Sequence, residues 1–363
     1  VSLDKESLQQ IFDALRQQEF TLIGPTVRDG AIICDEIEQV ANLPVDWTDE
    51  QEGGSYRLRR RGDGAYFGYV VGPHSWKQFL YPSNLKLYSV TRQNGSFSVQ
   101  PAVGDVPRYA FIGVRSCDVH AINVQDRIFL QGTFQEPDYK ARRQTAFVLA
   151  VNCTEPGNTC FCASMRTGPK VSAGFDLALT ELDDVFLLEV GSELGREMLA
   201  TTNWRFSGAF ELQAARRLLA DAEGKMGRHL DTSDLPNLLY QNMEHTHWDL
   251  VAQRCLSCAN CTQVCPTCFC ADVVETSDLT GQHVERTRVW DSCFSLDFSH
   301  VHGGNIRPST RSRYRQWLTH KLAAWVDQFG MFGCVGCGRC ITWCPVGIDI
   351  TQEVAAIRKE VAQ

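Results

Sequence analysis

The sequence predicts a mixed α/β domain over residues 1–225 followed by a mainly helical, cysteine-rich domain over residues 226–363. Two continuous apolar runs, Tyr109-Ala-Phe-Ile-Gly-Val114 and Ala146-Phe-Val-Leu-Ala-Val151, flank a helix-prone segment. That is the pattern of a βαβ unit whose strands run parallel. A polar, helix-prone stretch over 209–229 follows, placing the boundary between 205 and 240. Beyond it one spacing occurs twice, as Cys255-Leu-Ser-Cys258-Ala-Asn-Cys261-Thr-Gln-Val-Cys265-Pro266 and as Cys334-Val-Gly-Cys337-Gly-Arg-Cys340-Ile-Thr-Trp-Cys344-Pro345.

Each run reads Cys-x2-Cys-x2-Cys-x3-Cys-Pro, the spacing by which bacterial-type ferredoxins hold [4Fe–4S] clusters. A tight loop presents three sulfurs to three corners of a cube. The fourth cysteine starts a new element and points away, and in two-cluster ferredoxins it ligates the other cluster. The expected sets are therefore Cys255, Cys258, Cys261 and Cys344 for one cluster, and Cys334, Cys337, Cys340 and Cys265 for its mate. This makes the second domain ferredoxin-like, with two clusters. Zinc also takes four cysteines, but zinc ribbons use two separated Cys-x2-Cys knuckles. Disulfides fit poorly with a large chain that shows no signal-peptide pattern.

At 363 residues with 44% hydrophobic content, the chain has ample surface to bury without disulfide staples. Its net charge of −8 argues against general nucleic-acid binding, which needs a basic balance. No run approaches the length of a membrane-spanning helix, and the N-terminus lacks a basic-then-apolar pattern. The expectation is a cytoplasmic protein with no membrane insertion. Its 16 cysteines are the anomaly, and the two runs account for eight.

From the N-terminus, Ser2 is a candidate helix cap, with Leu8, Ile11, Phe12 and Leu15 on one helical face. Residues 20–23 and 31–34 read as short strands, with Cys34 a small buried apolar residue. Arg57, Arg59, Arg60 and Arg61 read as a solvated charge run, or as a face for an acidic partner or a phosphate. Asn94-Gly95, between two strand-like segments, signals a hairpin. The strand over 109–114 ends at Arg115-Ser116-Cys117, and Asp118 is a candidate cap for a helix whose apolar face uses Ile122, Ile128 and Phe129.

The strand over 146–151 ends at Asn152-Cys153. Cys117 and Cys153 then lie at carboxyl ends of neighbouring parallel strands, the edge where open α/β sheets place ligands. Cys160 and Cys162 follow on a loop flexible enough to fold back over that edge. These four thiols suffice for a third [4Fe–4S] cluster. Their spacing matches no ferredoxin run, so buried structural cysteines, zinc and redox thiols stay open as alternatives. Residues 175–179 and 185–190 read as further strands.

Between the two runs, Thr267-Cys268-Phe269-Cys270 repeats the Thr159-Cys-Phe-Cys162 element, and Cys293 follows in Trp290-Asp-Ser-Cys293. Three cysteines leave a four-coordinate site one ligand short. Asp291, His300 or His302 are candidates to complete it, apolar packing is the alternative, and no fourth cluster is assigned. Arg307, Arg311, Arg313, Arg315 and Lys321 form a basic stretch, expected on a helix with Tyr314, Leu318, Leu322 and Trp325 inward and the charges outward, where they would be solvated or steer an acidic partner.

With these residues assembled, the chain resembles the beta subunit of cytoplasmic bidirectional [NiFe]-hydrogenases (sulfhydrogenases) and the A subunit of anaerobic sulfite reductases. The features that carry the resemblance are Arg115-Ser-Cys-Asp118, Asn152-Cys-Thr-Glu-Pro156, Thr159-Cys-Phe-Cys162, Phe175-Asp-Leu-Ala-Leu179, Cys265-Pro-Thr-Cys-Phe-Cys270, Trp290-Asp-Ser-Cys293 and the second cysteine run. The resemblance implies an iron–sulfur subunit passing electrons between a flavin-bearing, NAD(P)-binding gamma subunit and the subunits that hold the catalytic metal centre. It does not separate hydrogenase from sulfite reductase, because that chemistry belongs to a partner. No Gly-x-Gly-x-x-Gly fingerprint and no Walker loop appear, in keeping with a chain that has no substrate site of its own. A chain with its own thiol/disulfide reductase site is the alternative; a redox sensor would want an output domain such as a helix-turn-helix, and none is recognisable.

Overall fold

The structure, a computed structural model, describes residues 1–70, 72–102, 104 and 106–361. Its strands in chain order are β1 (Ser2–Asp4), β2 (Thr21–Arg28), β3 (Ala31–Glu36), β4 (Trp47–Glu52), β5 (Ser55–Arg60), β6 (Asn84–Gln93), β7 (Ser96–Pro101), β8 (Tyr109–Arg115), β9 (Phe147–Val151), β10 (Leu177–Glu181), β11 (Val185–Val190), β12 (Ala271–Ser277) and β13 (His283–Trp290). The helices used below are α1 (Leu8–Gln17), α2 (Ser116–Phe129), α3 (Ala209–Gly224), α4 (Leu235–Gln241), α5 (His247–Arg254), α6 (Asn260–Gln263), α7 (Thr310–Thr319), α8 (Arg339–Thr342) and α9 (Ile350–Val361).

Seven strands form one mixed sheet in the order β1-β11-β10-β9-β8-β2-β3. Its centre is parallel, with β10 on β9, β9 on β8 and β8 on β2. The βαβ reading therefore holds, as β8, α2 and β9. Both faces of the sheet are covered. Ala110 and Ile112 of β8 pack with Leu8, Ile11, Phe12 and Leu15 of α1, while Phe111 and Val114 pack with Ile122 and Phe129 of α2. Strict alternation would send Val114 to the side of Ile112. A bulge at Gly113, whose φ is +86, shifts the register and turns it over. That shift sets the direction in which Arg115, Ser116 and Cys117 leave the sheet edge.

A second, antiparallel sheet has the order β12-β13-β6-β7. Its β6–β7 hairpin turns at Asn94-Gly95 as expected, with φ positive at both residues. Its other two strands come from the segment between the cysteine runs, which was expected to be helical. Val273, Val274, Thr276, Val284, Thr287 and Val289 explain the difference, since β-branched side chains favour extended backbone. Because β13 pairs with β6, this sheet crosses the 225/226 division and ties the two halves together.

The remainder of the C-terminal half is helical. The helices α4, α5, α7 and α9 share a core that includes Leu238, Trp248, Tyr314, Trp317, Leu322 and Ile357, with the cysteine runs packed against it. No helix among the described residues is long and apolar enough to cross a membrane.

Three local expectations are corrected. Ser2 does not cap a helix: it lies in β1, and its hydroxyl donates to Glu211 Oε2 at 2.8 Å. Asp118 does not cap α2, which begins at Ser116; its carboxylate is spent on Arg339. The basic stretch does bury Tyr314, Leu318, Leu322 and Trp325, but its charges do not all face solvent. Arg311 pairs with Glu244 and Asp249, Arg315 with Glu244, and Arg313 and Lys321 are buried. Three of the four arginines of 57–61 also find partners nearby: Arg59 pairs with Glu50, Arg61 with Asp63, and Arg60 stacks on Trp47 at 3.9 Å.

Candidate metal centres

The two cysteine runs fold into loops of one design. Each has two left-handed residues at equivalent places, Ser257 (φ +52) and Ala259 (φ +66) in the first, Gly336 (φ +66) and Gly338 (φ +73) in the second. Each ends in a one-turn helix, α6 or α8. In both, the first cysteine sulfur accepts a backbone N–H two residues on, Ser257 N to Cys255 Sγ and Gly336 N to Cys334 Sγ, each at 3.5 Å. Ser and Ala held in the left-handed region cost about 1–2 kcal/mol each, a strain that clusters at functional sites.

Cys255, Cys258, Cys261 and Cys344 line one cavity, so the last cysteine of the second run reaches the first run. Phe294, Tyr314, Trp317, Ile348 and Ile350 make its apolar walls. Burial, then the neighbouring thiols Cys255, Cys344 and Cys258, push the Cys261 thiol well up. On the other side, Cys334, Cys337 and Cys265 surround Cys340, and burial followed by those three thiols pushes it up as well. Cys334 is pushed up to about 12 by burial, against the opposing charge of Lys321. Lys321 Nζ donates to Cys265 Sγ at 3.2 Å. Ionising three or four buried thiols together needs a bound cation, which a coordinating metal supplies. The thiols of the first set sit at cavity walls, and among the described residues no three His, Cys, Asp or Glu side chains converge on a single-ion position. The donor set fits a cluster better than one zinc ion.

Cys117, Cys153, Cys160 and Cys162 line a further cavity at the carboxyl edge of β8 and β9, together with Arg115, Asp118, Pro156, Pro169, Cys337 and Arg339. The structure thus brings together all four thiols expected there. Cys117 sits in the first turn of α2, Cys153 just after β9, and the 160–162 loop folds back over the edge. That loop rests on the second cysteine run, with Phe161 N donating to Gly336 O at 2.8 Å. Arg115 is buried, and its Nη2 donates to Phe67 O and Tyr69 O at 2.7 Å each, so its charge is held at the edge by carbonyl dipoles. Burial pushes the Cys117 thiol well up, with Asp118, Cys162 and Cys337 adding to it. Cys160 shifts the same way, through burial and then Cys162 and Cys153. By donor set, this cavity is chemically like the two thiol groups of the C-terminal half.

Two features differ from the reading of the sequence. One is the buried Arg339–Asp118 pair, which joins the second run to the residue after Cys117. The other is Lys321, read as part of an outward patch yet aimed at Cys265 and Thr267. It stands seven residues after Tyr314 and three after Leu318, so helical spacing already puts it on their buried face, and only its charge groups it with the arginines expected outward. Of the candidates to join Cys268, Cys270 and Cys293, Asp291 turns its carboxylate to Ser292 N and Ser295 Oγ, and His300 and His302 are exposed.

Residues 254–348, which span both cysteine runs, match the 4Fe-4S dicluster domain family. Over 259 residues the chain is 33% identical to sulfhydrogenase 2 subunit beta of Pyrococcus furiosus, covering 69% of this chain and 75% of that protein. No solved structure matches the chain. A dicluster domain alone is common to many redox proteins, but identity at this level reaches well beyond its 254–348 span into the N-terminal half. The chain belongs to the iron–sulfur beta-subunit family of hydrogenases that includes sulfhydrogenase 2 subunit beta.

Proposed function

We propose that the chain is the electron-transfer subunit of a hydrogenase-type complex, relaying electrons between a flavin-bearing, NAD(P)-binding gamma subunit and the catalytic subunits. In this reading Cys255, Cys258, Cys261 and Cys344 hold one [4Fe–4S] cluster, Cys334, Cys337, Cys340 and Cys265 a second, and Cys117, Cys153, Cys160 and Cys162 a third. When bound, such clusters supply reversible one-electron chemistry with no substrate bond made or broken. The observation that carries the reading is the cavity where Cys344 meets the three cysteines of the other run, the swapped pattern of two-cluster ferredoxins.

The chain's own residues do the rest. Phe294, Tyr314 and Trp317 give the first site apolar walls behind an exposed Cys258, and an apolar shell is a lever on reduction potential. Lys321 donates to Cys265 Sγ, a hydrogen bond that withdraws charge from a ligand and raises the potential of what it binds. The 160–162 loop lies on the 334–340 loop, which puts the third site within direct packing distance of the second. Anaerobic iron and acid-labile sulfide analysis of the full chain tests the reading: about twelve or more iron atoms per chain are expected. A count of about four, one cluster's worth, would overturn it.

A further inference from the structure

Three thiols remain without a role. Cys270 immediately precedes β12 and Cys293 follows β13 by three residues; the register of Ala271 on Trp290, closed by Asp291 N donating to Cys270 O at 2.9 Å, brings them side by side. Cys268 stands two residues before Cys270 and next to Thr267, whose hydroxyl meets Cys265 Sγ at 3.1 Å. They form one group beside Cys265.

Two lysines point at this group. Lys77 and Lys321 are each only 5% exposed, and neither pairs with a carboxylate among the described residues. Lys321 Nζ donates to Cys265 Sγ at 3.2 Å, Thr267 Oγ1 at 3.0 Å and Gly333 O at 3.4 Å. Lys77 Nζ donates to Gln263 O at 3.4 Å and lies 3.8 Å from the Trp290 ring centroid. Both ammonium groups lie within electrostatic reach of Cys265 and Cys268. Lys321 meets Cys265, so a negative centre at Cys268, Cys270 and Cys293 would lie beside two buried amino groups that have no carboxylate partner among the described residues. Lys321 is fully engaged as a donor, so it serves as a counter-charge and not as a ligand. The sequence adds one more pointer: Thr267-Cys-Phe-Cys270 repeats Thr159-Cys-Phe-Cys162, whose two cysteines line the cavity at the edge of the first sheet.

We propose that Cys268, Cys270 and Cys293 hold a further iron–sulfur centre through three thiolates, with Lys77 and Lys321 balancing its negative charge. Three thiolates match a [3Fe–4S] core, one per iron, or a [4Fe–4S] core whose fourth iron takes a non-thiolate ligand. The centre gains or loses one electron with its ligands unchanged. This rests on the chain being an iron–sulfur protein, but not on which cysteines serve the other three sites.

The test uses the full chain purified anaerobically, with iron and acid-labile sulfide counted and electron paramagnetic resonance recorded in oxidised and reduced states. Cys293→Ala and Cys270→Ala are expected to lose about three or four iron atoms each. Loss of a signal from the oxidised state marks a [3Fe–4S] core, and loss of one from the reduced state marks a [4Fe–4S] core. Unchanged iron and spectra in a folded Cys293→Ala chain would overturn the proposal. Should the alanine variants not fold, Cys293→Ser decides: lost iron or a shifted signal relative to the unsubstituted chain supports the centre, and unchanged iron and spectra rule it out. If Cys344→Ser and Cys117→Ala lose iron while Cys293→Ala does not, the electron-transfer reading stands and this centre alone fails.

Discussion

Arg339 and Asp118 form a buried, two-pronged ion pair, with Nη1 to Oδ1 at 2.8 Å and Nη2 to Oδ2 at 2.9 Å. Arg339 stands between Cys337 and Cys340, and Asp118 directly follows Cys117, so the pair fastens the second cysteine loop to the edge of the N-terminal sheet. Removing one partner leaves an uncompensated buried charge, which costs about 3–5 kcal/mol. Arg339→Met is expected to lose that much, read as a lowered midpoint of chemical denaturation. Arg339→Lys should recover little, because an ammonium cannot make the paired contact. Replacing both residues by apolar ones of similar volume should recover most of the loss; if the double variant is no better than Arg339→Met, the pair is not what holds the two parts.

Gly338 offers a second test of that junction. Its φ of +73 matches the φ of +66 at Ala259 in the first run, where alanine is tolerated. Backbone conformation alone therefore does not demand glycine at 338. A Cβ there would instead collide with the carbonyl of Thr159, in the loop that carries Cys160 and Cys162. Gly338→Ala is expected to destabilise by more than about 2 kcal/mol, from left-handed strain plus overpacking, and to loosen iron bound at the third site before iron bound in the first run. Equal loss at both sites would argue against a local collision.

His320 gives a pH signature. Burial, with the charges of Lys321 and Arg307 adding, lowers its pKa from 6.5 to about 4. Between those values the unfolded chain binds a proton that the folded chain refuses, so stability falls as pH drops through the window and the loss is complete below about 4. Allowing for the partial exposure of the ring, the loss amounts to about 1–2 kcal/mol. In His320→Gln the unfolding midpoint should depend less on pH between 6.5 and about 4 than in the parent chain. Parallel pH profiles would show that the ring titrates normally.

What the sequence revealed, and what it hid, follow from the range of the interactions involved. The runs at 255–266 and 334–345 carry their own loop geometry, because four spaced thiols and two left-handed positions are local properties. The buried strands β8 and β9 were equally legible as apolar runs, and their order in the sheet followed from the crossover between them. The β12–β13 hairpin was not. Its partner is β6, nearly two hundred residues earlier, and nothing in the segment's own pattern reveals that pairing. Lys321 misled for another reason: its spacing from Tyr314 and Leu318 is that of the buried face, but its charge, among Arg307, Arg311, Arg313 and Arg315, reads as solvated. The Arg339–Asp118 contact joins residues 221 positions apart, so its two charges looked like a ligand-loop arginine and a helix cap.

The proposed swapped ligation makes a prediction that a simple run-by-run assignment does not. Cys344 lies in the second run but lines the cavity of the first, and its sulfur accepts Ile348 N at 3.3 Å. Cys344→Ser is expected to damage the cluster of Cys255, Cys258 and Cys261, giving a three-iron species or loss of about four iron atoms. Spectra showing damage confined to the centre at 334–340 would reverse the assignment.

Cys117 and Cys34 together separate ligation from mere burial. Both thiols are pushed up by burial first, and both lie close to the Arg339–Asp118 pair. Cys34, however, sits in an apolar cluster with Trp76, Phe111 and Val114, whereas Cys117 faces Cys153, Cys160 and Cys162 across a cavity. If position beside other thiols is what matters, Cys117→Ala should lower the iron count by up to about four atoms while the spectra of the two ferredoxin-type centres stay nearly intact. Cys34→Ala should leave iron unchanged and cost about 1–2 kcal/mol, the penalty for deleting a small buried group. Iron retained in both variants, with similar losses of stability, would make Cys117 a core residue like Cys34 and reduce the chain to its C-terminal centres.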